Sequence, residues 1–363
     1  MPSKLIIAAT SSRGYAQAAM SCGYQVITLD AFADADTRNV AEQCFKVRFG
    51  EQGVDEDDFK RVFSKICLDD VTGFLYGSLF DAAPALLAWV AEQVSIIGNN
   101  PETMQFAKSL GFFVMLDNLN IRHPEIRLDL PGNAENWLSK QLGGNGGLHV
   151  KPVKYALAGD YFQRQVDGEP VSLLFVANGE TAKIIGFNRQ LISPTAELPY
   201  RFAGAVSNAA LPRQAQQQMI HAAQQLTTEL GLRGINSLDA VIGGDELWFL
   251  ELNPRLSATF HLYPNLLQTH IQACKGQLLD FLQANDSKAQ MTLYAQEAME
   301  IPSDFAWPDW VADIPYVGCD ESSVNIQMND PICSVLAEAG KAATAHQLVL
   351  QRVNTLKGKL LYD

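Results

Sequence analysis

Apolar and polar positions alternate along this chain in two rhythms. KLIIAAT near the start and YQVITLD at residues 24–30 are short, almost unbroken apolar runs bounded by Ser, Gly and Asp, the pattern of parallel strands covered on both faces. Between them, residues 15–22 form an Ala-rich stretch of helical length. VTGFLYGSLFDAAPALLAWV and VSIIGNN continue the alternation of strand and helix. A doubly wound α/β domain is therefore predicted over residues 1–98, closed by the turn Gly98-Asn99-Asn100-Pro101.

The rhythm then changes. PETMQFAKSLGF predicts a helix with Pro at its first position, followed by the irregular LDNLNIRHPEIRLDLPGN. NWLSKQLGGNGGLHVKPV reads as a strand, a glycine-rich turn and a second strand. SLDAVI and ELWFLELN read as antiparallel strands joined at Gly243-Gly244-Asp245. RQAQQQMIHAAQQLTTEL carries Met219, Ala222, Ala223, Leu226 and Leu230 at helical spacing and is expected to pack on that sheet. A second domain over 99–290 and a small C-terminal subdomain of sheet and helix over 291–363 complete the expected organisation.

Composition narrows the partners. With 363 residues, 47% of them hydrophobic, the chain can bury a large core in two or three domains. Its 27 Lys and Arg against 40 Asp and Glu leave a formal net charge of −13, with no basic run, so nucleic acid and anionic membrane are poor partners. An anionic ligand stays open, because a bound Mg²⁺ can supply the local positive field. The six cysteines include no CxxC pair and no His at zinc spacing, and the first apolar run is too short for a signal or membrane segment. A reduced, cytoplasmic protein without structural zinc is expected.

The candidate chemistry lies in three places. The turn Thr10-Ser11-Ser12-Arg13-Gly14 has one glycine where a GxGxxG dinucleotide loop needs three, so Asp30 at the end of the second strand reads as structural and an NAD enzyme is disfavoured. The turn remains a candidate for holding a polar substrate. Next, Lys140 precedes Gly143, Gly144, Asn145, Gly146 and Gly147. Glycines let backbone N–H groups approach phosphate oxygens and a Lys neutralises them, although a hairpin turn gives the same letters. It is not a P-loop, since the Lys comes first and a strand follows. Third, Asp239 and Glu251 stand on the two strands of the predicted hairpin, with Asn253 on the same face as Glu251 and Arg255 just beyond. Asp, Glu and Asn are oxygen ligands suited to Mg²⁺. A solvent-facing hairpin edge is the alternative, but apolar neighbours make an unneutralised carboxylate costly there.

Lys140 with its glycine loop, the QRQVDGEPVSLLFV stretch, and Asp239 with ELNPR together resemble the ATP-grasp superfamily, which includes biotin carboxylase and D-alanine:D-alanine ligase. The resemblance spans about residues 100–290 and implies an ATP-grasp fold behind an N-terminal pre-ATP-grasp α/β domain. It further implies that Lys140 contacts ATP phosphates, that residues 143–147 form a mobile lid, and that Asp239, Glu251 and Asn253 hold two Mg²⁺, with Mn²⁺ as a substitute. Gln163 stands where the family usually has Glu. Arg164, Gln165 and Val166 fall at the adenine hinge, and Asp167 or Glu169 falls near the ribose. The family's first ATP-binding lysine has no clear match, and Arg127 in EIRLDL is the expected replacement. His149 and His261 are further candidates near the phosphates, whereas His221, His270 and Cys333 read as surface or packed residues.

The implied activity is carboxylate–amine ligation through an acyl phosphate, with Arg255 and Lys140 as catalytic cations and small-molecule acid and amine substrates in a homodimer. SSRGYAQAA and LDAFADADT further resemble a carboligase-like branch associated with tetrahydromethanopterin-linked one-carbon metabolism, which implies a role in building a methanopterin- or furan-type cofactor. A bicarbonate- or biotin-type carboxylase and a non-catalytic ATP-binding regulator are the alternatives.

Overall fold

The computed structural model describes residues 3–50, 53–281 and 284–362. The first domain is a parallel sheet of β1 (Lys4–Ala9), β2 (Gln25–Asp30), β3 (Gln43–Lys46) and, after the short ladder of β4 (Phe49–Gly50) with β5 (Gly53–Val54), β6 (Val71–Tyr76). Its order is β3-β2-β1-β6. Helices α1 (Arg13–Ser21), α2 (Ala35–Val40), α3 (Glu56–Phe63) and α4 (Pro84–Gln93) connect and cover the strands. Asp55 caps α3, whose first turn holds Glu56, Asp57 and Asp58 and whose last holds Lys60 and Arg61, matching the helix dipole at both ends. The expected strand in VSIIGNN shrinks to one bridge between Phe74 and Ile96.

The predicted helix after Pro101 is two helices, α5 (Pro101–Ala107) and α6 (Gly111–Asn118). Ser109 explains the break: its Oγ donates to the Phe106 carbonyl and accepts from Gly111 N, competing with the helical ladder. A small antiparallel sheet follows, made of β7 (Ile126–Arg127), β8 (Trp137–Lys140), β9 (Val150–Pro152) and β10 (Tyr161–Arg164) in the order β7-β10-β8-β9. Lys140 pairs with Val150, so the glycine-rich segment is the connection between β8 and β9, as the pattern predicts.

The large antiparallel sheet contains β11 (Glu169–Asn178), β12 (Ala182–Ile192), β13 (Phe202–Val206), β14 (Arg233–Gly243), β15 (Glu246–Asn253), β16 (Ser287–Tyr294), β18 (Val311–Ala312) and β20 (Pro331–Ala339). Its order is β15-β14-β11-β12-β13-β16-β20-β18, with β17 (Met299–Pro302) and β19 (Ser323–Ile326) pairing separately. The expected domain edge at 290 thus falls inside β16, which bonds to β13 on one side and β20 on the other. The C-terminal strands extend this sheet rather than build one apart.

Both faces of β11 are buried, which accounts for its unbroken apolar run LLFVA. Leu173, Phe175 and Ala177 face α7 (Arg213–Leu230), while Leu174 and Val176 join the layer formed by α1 and α8 (Leu266–Cys274). That second layer is shared with Leu5, Ile7 and Ala9 of β1, so one core glues the parallel domain to the large sheet. The closing helix α9 (Ala342–Tyr362) covers β16 and β20 through Ala345, Val349, Val353 and Leu356.

Asn99, 3% exposed, fixes the junction between the domains. Its Nδ2 donates to Asn236 Oδ1 at 2.8 Å, to the Pro254 carbonyl at 3.0 Å and to the Arg233 carbonyl at 3.1 Å, and its Oδ1 accepts from Arg233 N at 2.7 Å. Among the described residues, no helix is long and apolar enough to cross a membrane.

Candidate functional site

The β14–β15 hairpin brings the predicted acids together. Its register places Asp239 opposite Glu251 and Ser237 opposite Asn253. Asn253 Nδ2 donates to Asp239 Oδ2 at 3.2 Å and to Glu251 Oε1 at 3.3 Å, so the amide oxygen points the other way. Burial first, then the neighbouring Glu251 carboxylate, push the Asp239 carboxyl up to about 8. Burial acts on Glu251 in the same direction, but Lys108, His149 and Lys140 outweigh it and hold Glu251 well below the usual carboxylate range. The pair therefore binds a proton or cation unevenly, with the charge resting on Glu251.

Three cations face these acids. Lys140, at the end of β8 and 7% exposed, donates from Nζ to Gln163 Oε1 at 2.8 Å, which joins the two positions expected to meet one nucleotide. Burial lowers its pKa to about 8, opposed by Glu251 and Asp239. Arg255 is buried and forked onto Asp81, with Nε donating to Oδ1 at 2.8 Å and Nη2 to Oδ2. Its Nη2 also donates to Asn253 Oδ1 at 2.9 Å. The third cation is Lys108, at the break between α5 and α6. Its Nζ donates to Asn253 Oδ1 at 2.7 Å and Glu251 Oε2 at 3.4 Å, and lies 3.8 Å from Asp81 Oδ2.

Neither Lys108 nor Asp81 was singled out from the sequence. Arg127, expected in place of a lysine, lies instead on the edge strand β7, with Nε donating to Glu125 Oε1 at 2.8 Å and the guanidinium 5.0 Å from the Trp137 ring. Its side chain is half exposed, and these contacts leave it outside the acid cluster. A lysine within a helix pattern, followed by Ser and then Gly111, was the available signal for Lys108.

The glycine-rich turn is docked on the first domain. Asn145 Nδ2 donates to the Ser78 carbonyl at 3.0 Å and the Gly146 carbonyl accepts from Phe202 N at 2.8 Å. At Gly143, with φ +72°, a Cβ would lie 2.5 Å from the Asp81 carbonyl oxygen; at Gly147, with φ +70°, it would lie 1.9 Å from that of Tyr200. Both positions require glycine on two counts. Gly144 leaves its room to His149, whose pKa burial and Lys140 lower to about 4, so that its ring is neutral at pH 7. Beneath the turn, Lys108, Gly143, Gly144, His149, Tyr161 and Glu251 line a cavity of about 30 Å³.

In the segment expected to be the adenine hinge, Arg164 N donates to the Glu125 carbonyl and Gln165 N to the Asn136 carbonyl, both at 2.8 Å, so these two N–H groups are committed within the protein. Val166 follows them and leads to Asp167, whose Oδ1 accepts from Gln165 Nε2 at 2.9 Å. Glu169 accepts from Arg189 Nε.

The turn after β1 is a structural knot. Asp30 accepts from Ser12 N, Phe32 N and Ala33 N, and Arg13 Nε donates across the molecule to Asp313 Oδ1 at 2.7 Å. His261 packs against Gly14, and burial lowers its pKa to about 4. His270 accepts from Ile235 N at 2.9 Å inside the core, His221 is exposed, and burial pushes the Cys333 thiol up. These three match the packed or surface roles expected of them.

Two observations make the cluster suitable for ATP with Mg²⁺. Gln163 Nε2 and His149 Nδ1 are buried without a hydrogen-bond partner, and an incoming polar ligand would satisfy such atoms. The donor set is two carboxylates and an amide oxygen, too few for a closed protein cage and right for an ion that completes its shell with phosphates and water. No group of three or more His, Cys, Asp or Glu poised for a metal occurs among the described residues.

Residues 110–259 match the profile of the ATP-grasp domain. No curated protein sequence matches the chain. Among solved structures, the biotin carboxylase domain of 2-oxoglutarate carboxylase from Hydrogenobacter thermophilus, solved with MgADP, ADP and bicarbonate, superposes with a TM-score of 0.72 at 11% identity over 96% of this chain and 88% of that one. N5-carboxyaminoimidazole ribonucleotide synthetase from Thermotoga maritima gives 0.65 at 13% identity, covering 97% and 98% of the two chains. L-amino acid ligase from Bacillus licheniformis gives 0.69 at 13% identity, covering 97% of each. The parallel N-terminal domain, the small sheet carrying Lys140 and the large sheet carrying the acids thus form an ATP-grasp fold.

Proposed function

We propose that the chain is an ATP-dependent carboxylate–amine ligase. One observation carries this reading: Lys140 and Gln163 from the small sheet, Asp239, Glu251 and Asn253 from the large one, and Arg255 just beyond β15 converge around a glycine-rich turn, with cations set against acids. In the reaction, a substrate carboxylate oxygen attacks the γ-phosphorus and the bond to ADP breaks. The amine nitrogen then attacks the carbonyl of the acyl phosphate, phosphate leaves with the bonding pair and takes up the proton the nitrogen loses, and an amide remains.

Asp239, Glu251 and Asn253 would hold Mg²⁺, which neutralises phosphate charge when bound. Lys140 holds phosphate oxygens while Gln163 fixes its ammonium. Arg255 cannot swing freely, because Asp81 grips it at two points, so it offers a preorganised cation for charge developing at the carbonyl. No protein nucleophile is needed. A cavity of about 30 Å³ admits roughly one water, so the turn at 143–147 opens for nucleotide and closes over it to exclude water.

Calorimetry with a non-hydrolysable ATP analogue tests this directly. Tight, Mg²⁺-dependent binding is expected, followed by ADP release in the presence of a matched acid and amine; absent binding sinks the reading. Carboxylation is the second reading, favoured by the bicarbonate in one similar structure. ADP release that depends on bicarbonate rather than on an amine would establish it. The finer proposal, a methanopterin- or furan-type one-carbon cofactor as product, rests on the SSRGYAQAA and LDAFADADT resemblance, and an unchanged cofactor profile in a deletion strain would overturn it.

A further inference from the structure

Lys108 stands where a metal would. Its ammonium uses Asn253 Oδ1 at 2.7 Å and Glu251 Oε2 at 3.4 Å, two of the oxygens that the hairpin offers to a divalent ion. The Asn253 amide cannot turn its one oxygen elsewhere, since its Nδ2 is engaged by Asp239 and Glu251. Asp81, the third acid near Lys108, is already matched by the two-point grip of Arg255, which leaves Glu251 as the carboxylate that Lys108 chiefly neutralises. The Lys108 side chain is 6% exposed and that of Glu251 30%, so water screens the ammonium only in part and a second cation on the same oxygens would be repelled.

We propose that Lys108 and a divalent cation are alternative occupants of the Glu251 and Asn253 oxygens, so that metal enters only together with an anion that draws Lys108 away. The inference rests on the nucleotide–metal reading of this site and adds an order of binding to it. The route is short: Lys108, Gly143 and Gly144 line the same cavity, so a phosphate seated against the glycine turn lies within reach of a four-carbon side chain. Arg255, whose Nη2 also donates to Asn253 Oδ1 at 2.9 Å, lacks this freedom and stays on Asp81, so a metal would share that oxygen with it and take over from Lys108 chiefly at Glu251. Metal and nucleotide then favour each other's binding equally, because each removes the same competitor.

The test titrates Mg²⁺ alone, without nucleotide, into the wild type and Lys108→Met by calorimetry, with thermal melts alongside. Mg²⁺ alone is expected to bind the variant at least about tenfold more tightly, as removal of a buried like charge requires, and to raise its Tm while leaving that of the wild type in place. Lys108→Arg, which keeps the charge, should retain the exclusion. Equal Mg²⁺ affinity in wild type and Lys108→Met overturns the proposal, and so does an equal gain in Lys108→Arg, which would point to packing. If Lys108→Met does not fold, Lys108→Gln, which keeps a donor toward Asn253, carries the same comparison. A wild type that binds no Mg²⁺-ATP analogue removes the nucleotide reading whatever the metal titrations give, whereas normal analogue binding with no gain in the variants sinks only the exchange.

Discussion

Among the described residues, two apolar strand segments hold carboxylates, one enclosed and one half-buried, and they treat them differently. At the end of β2, Asp30 is fully enclosed and accepts three backbone N–H groups, from Ser12 at 2.5 Å, Phe32 at 2.8 Å and Ala33 at 2.7 Å. In the β14–β15 hairpin, Asp239 and Glu251 lie against each other, and their neighbours are the side chains of Asn253, Lys108 and Lys140. Backbone donors cannot leave without unfolding a turn; a lysine can. A carboxylate held by main chain is part of the scaffold, while one held by mobile side chains is available to something else.

The sharpest test of that contrast is a crossed pair of substitutions. Glu251→Gln should reduce ATP turnover by at least about 1000-fold, roughly 4 kcal/mol of transition-state stabilisation, with little change in urea midpoint. Asp30→Ala should do the reverse, costing about 3 kcal/mol of stability for the donors left unpaired while the affinity of the folded protein for a Mg²⁺-ATP analogue changes less than twofold. If Asp30→Ala abolishes nucleotide binding without a stability loss, the distinction fails.

A smaller effect separates scaffold from site by pH. Lys140 carries its charge below about 8 and loses it above, because burial disfavours the ammonium. Affinity for ADP, measured in a chelator so that metal ligands do not contribute, should therefore be flat from pH 6 to 7 and weaken by roughly tenfold toward pH 9. Lys140→Arg, charged throughout, should leave only the part of the slope that Asp239, also near 8, contributes; an unchanged slope in that variant would assign the whole titration elsewhere. The smallest expected effect is at the glycine turn. Asn145→Ala removes the single bond to the Ser78 carbonyl, about 1 kcal/mol, and should raise KM for ATP about fivefold at nearly constant stability.

The sequence made the hairpin readable because alternation in a strand is a local rule. Glu251 and Asn253 share a face by spacing alone, and Gly243-Gly244 marks the turn that brings Asp239 across. Lys140 was readable beside its glycines for the same reason. Lys108 and Asp81 were not. Their roles depend on α5 and the loop after β6 reaching over β15 from far along the chain, and neither neighbourhood departs from ordinary helix or loop composition. Arg127 shows the converse: a cation in a strand-like segment looks suitable until β7 proves to be the outer edge of the small sheet, turned toward Glu125 and Trp137. The C-terminal strands misled in a related way, since pairing partners are chosen in space and β16 found β13.

Asn99 carries a consequence for how such a protein can change over time. A junction of glycine and asparagine before a proline looks like a tether, yet here one amide engages Arg233, Asn236 and Pro254 at once. Exchanging the front domain for another would demand an amide in the same place, with donor and acceptor aligned to the same three partners. Point substitutions can accumulate on either side of such a joint, but shuffling of whole modules across it cannot proceed without rebuilding the joint itself.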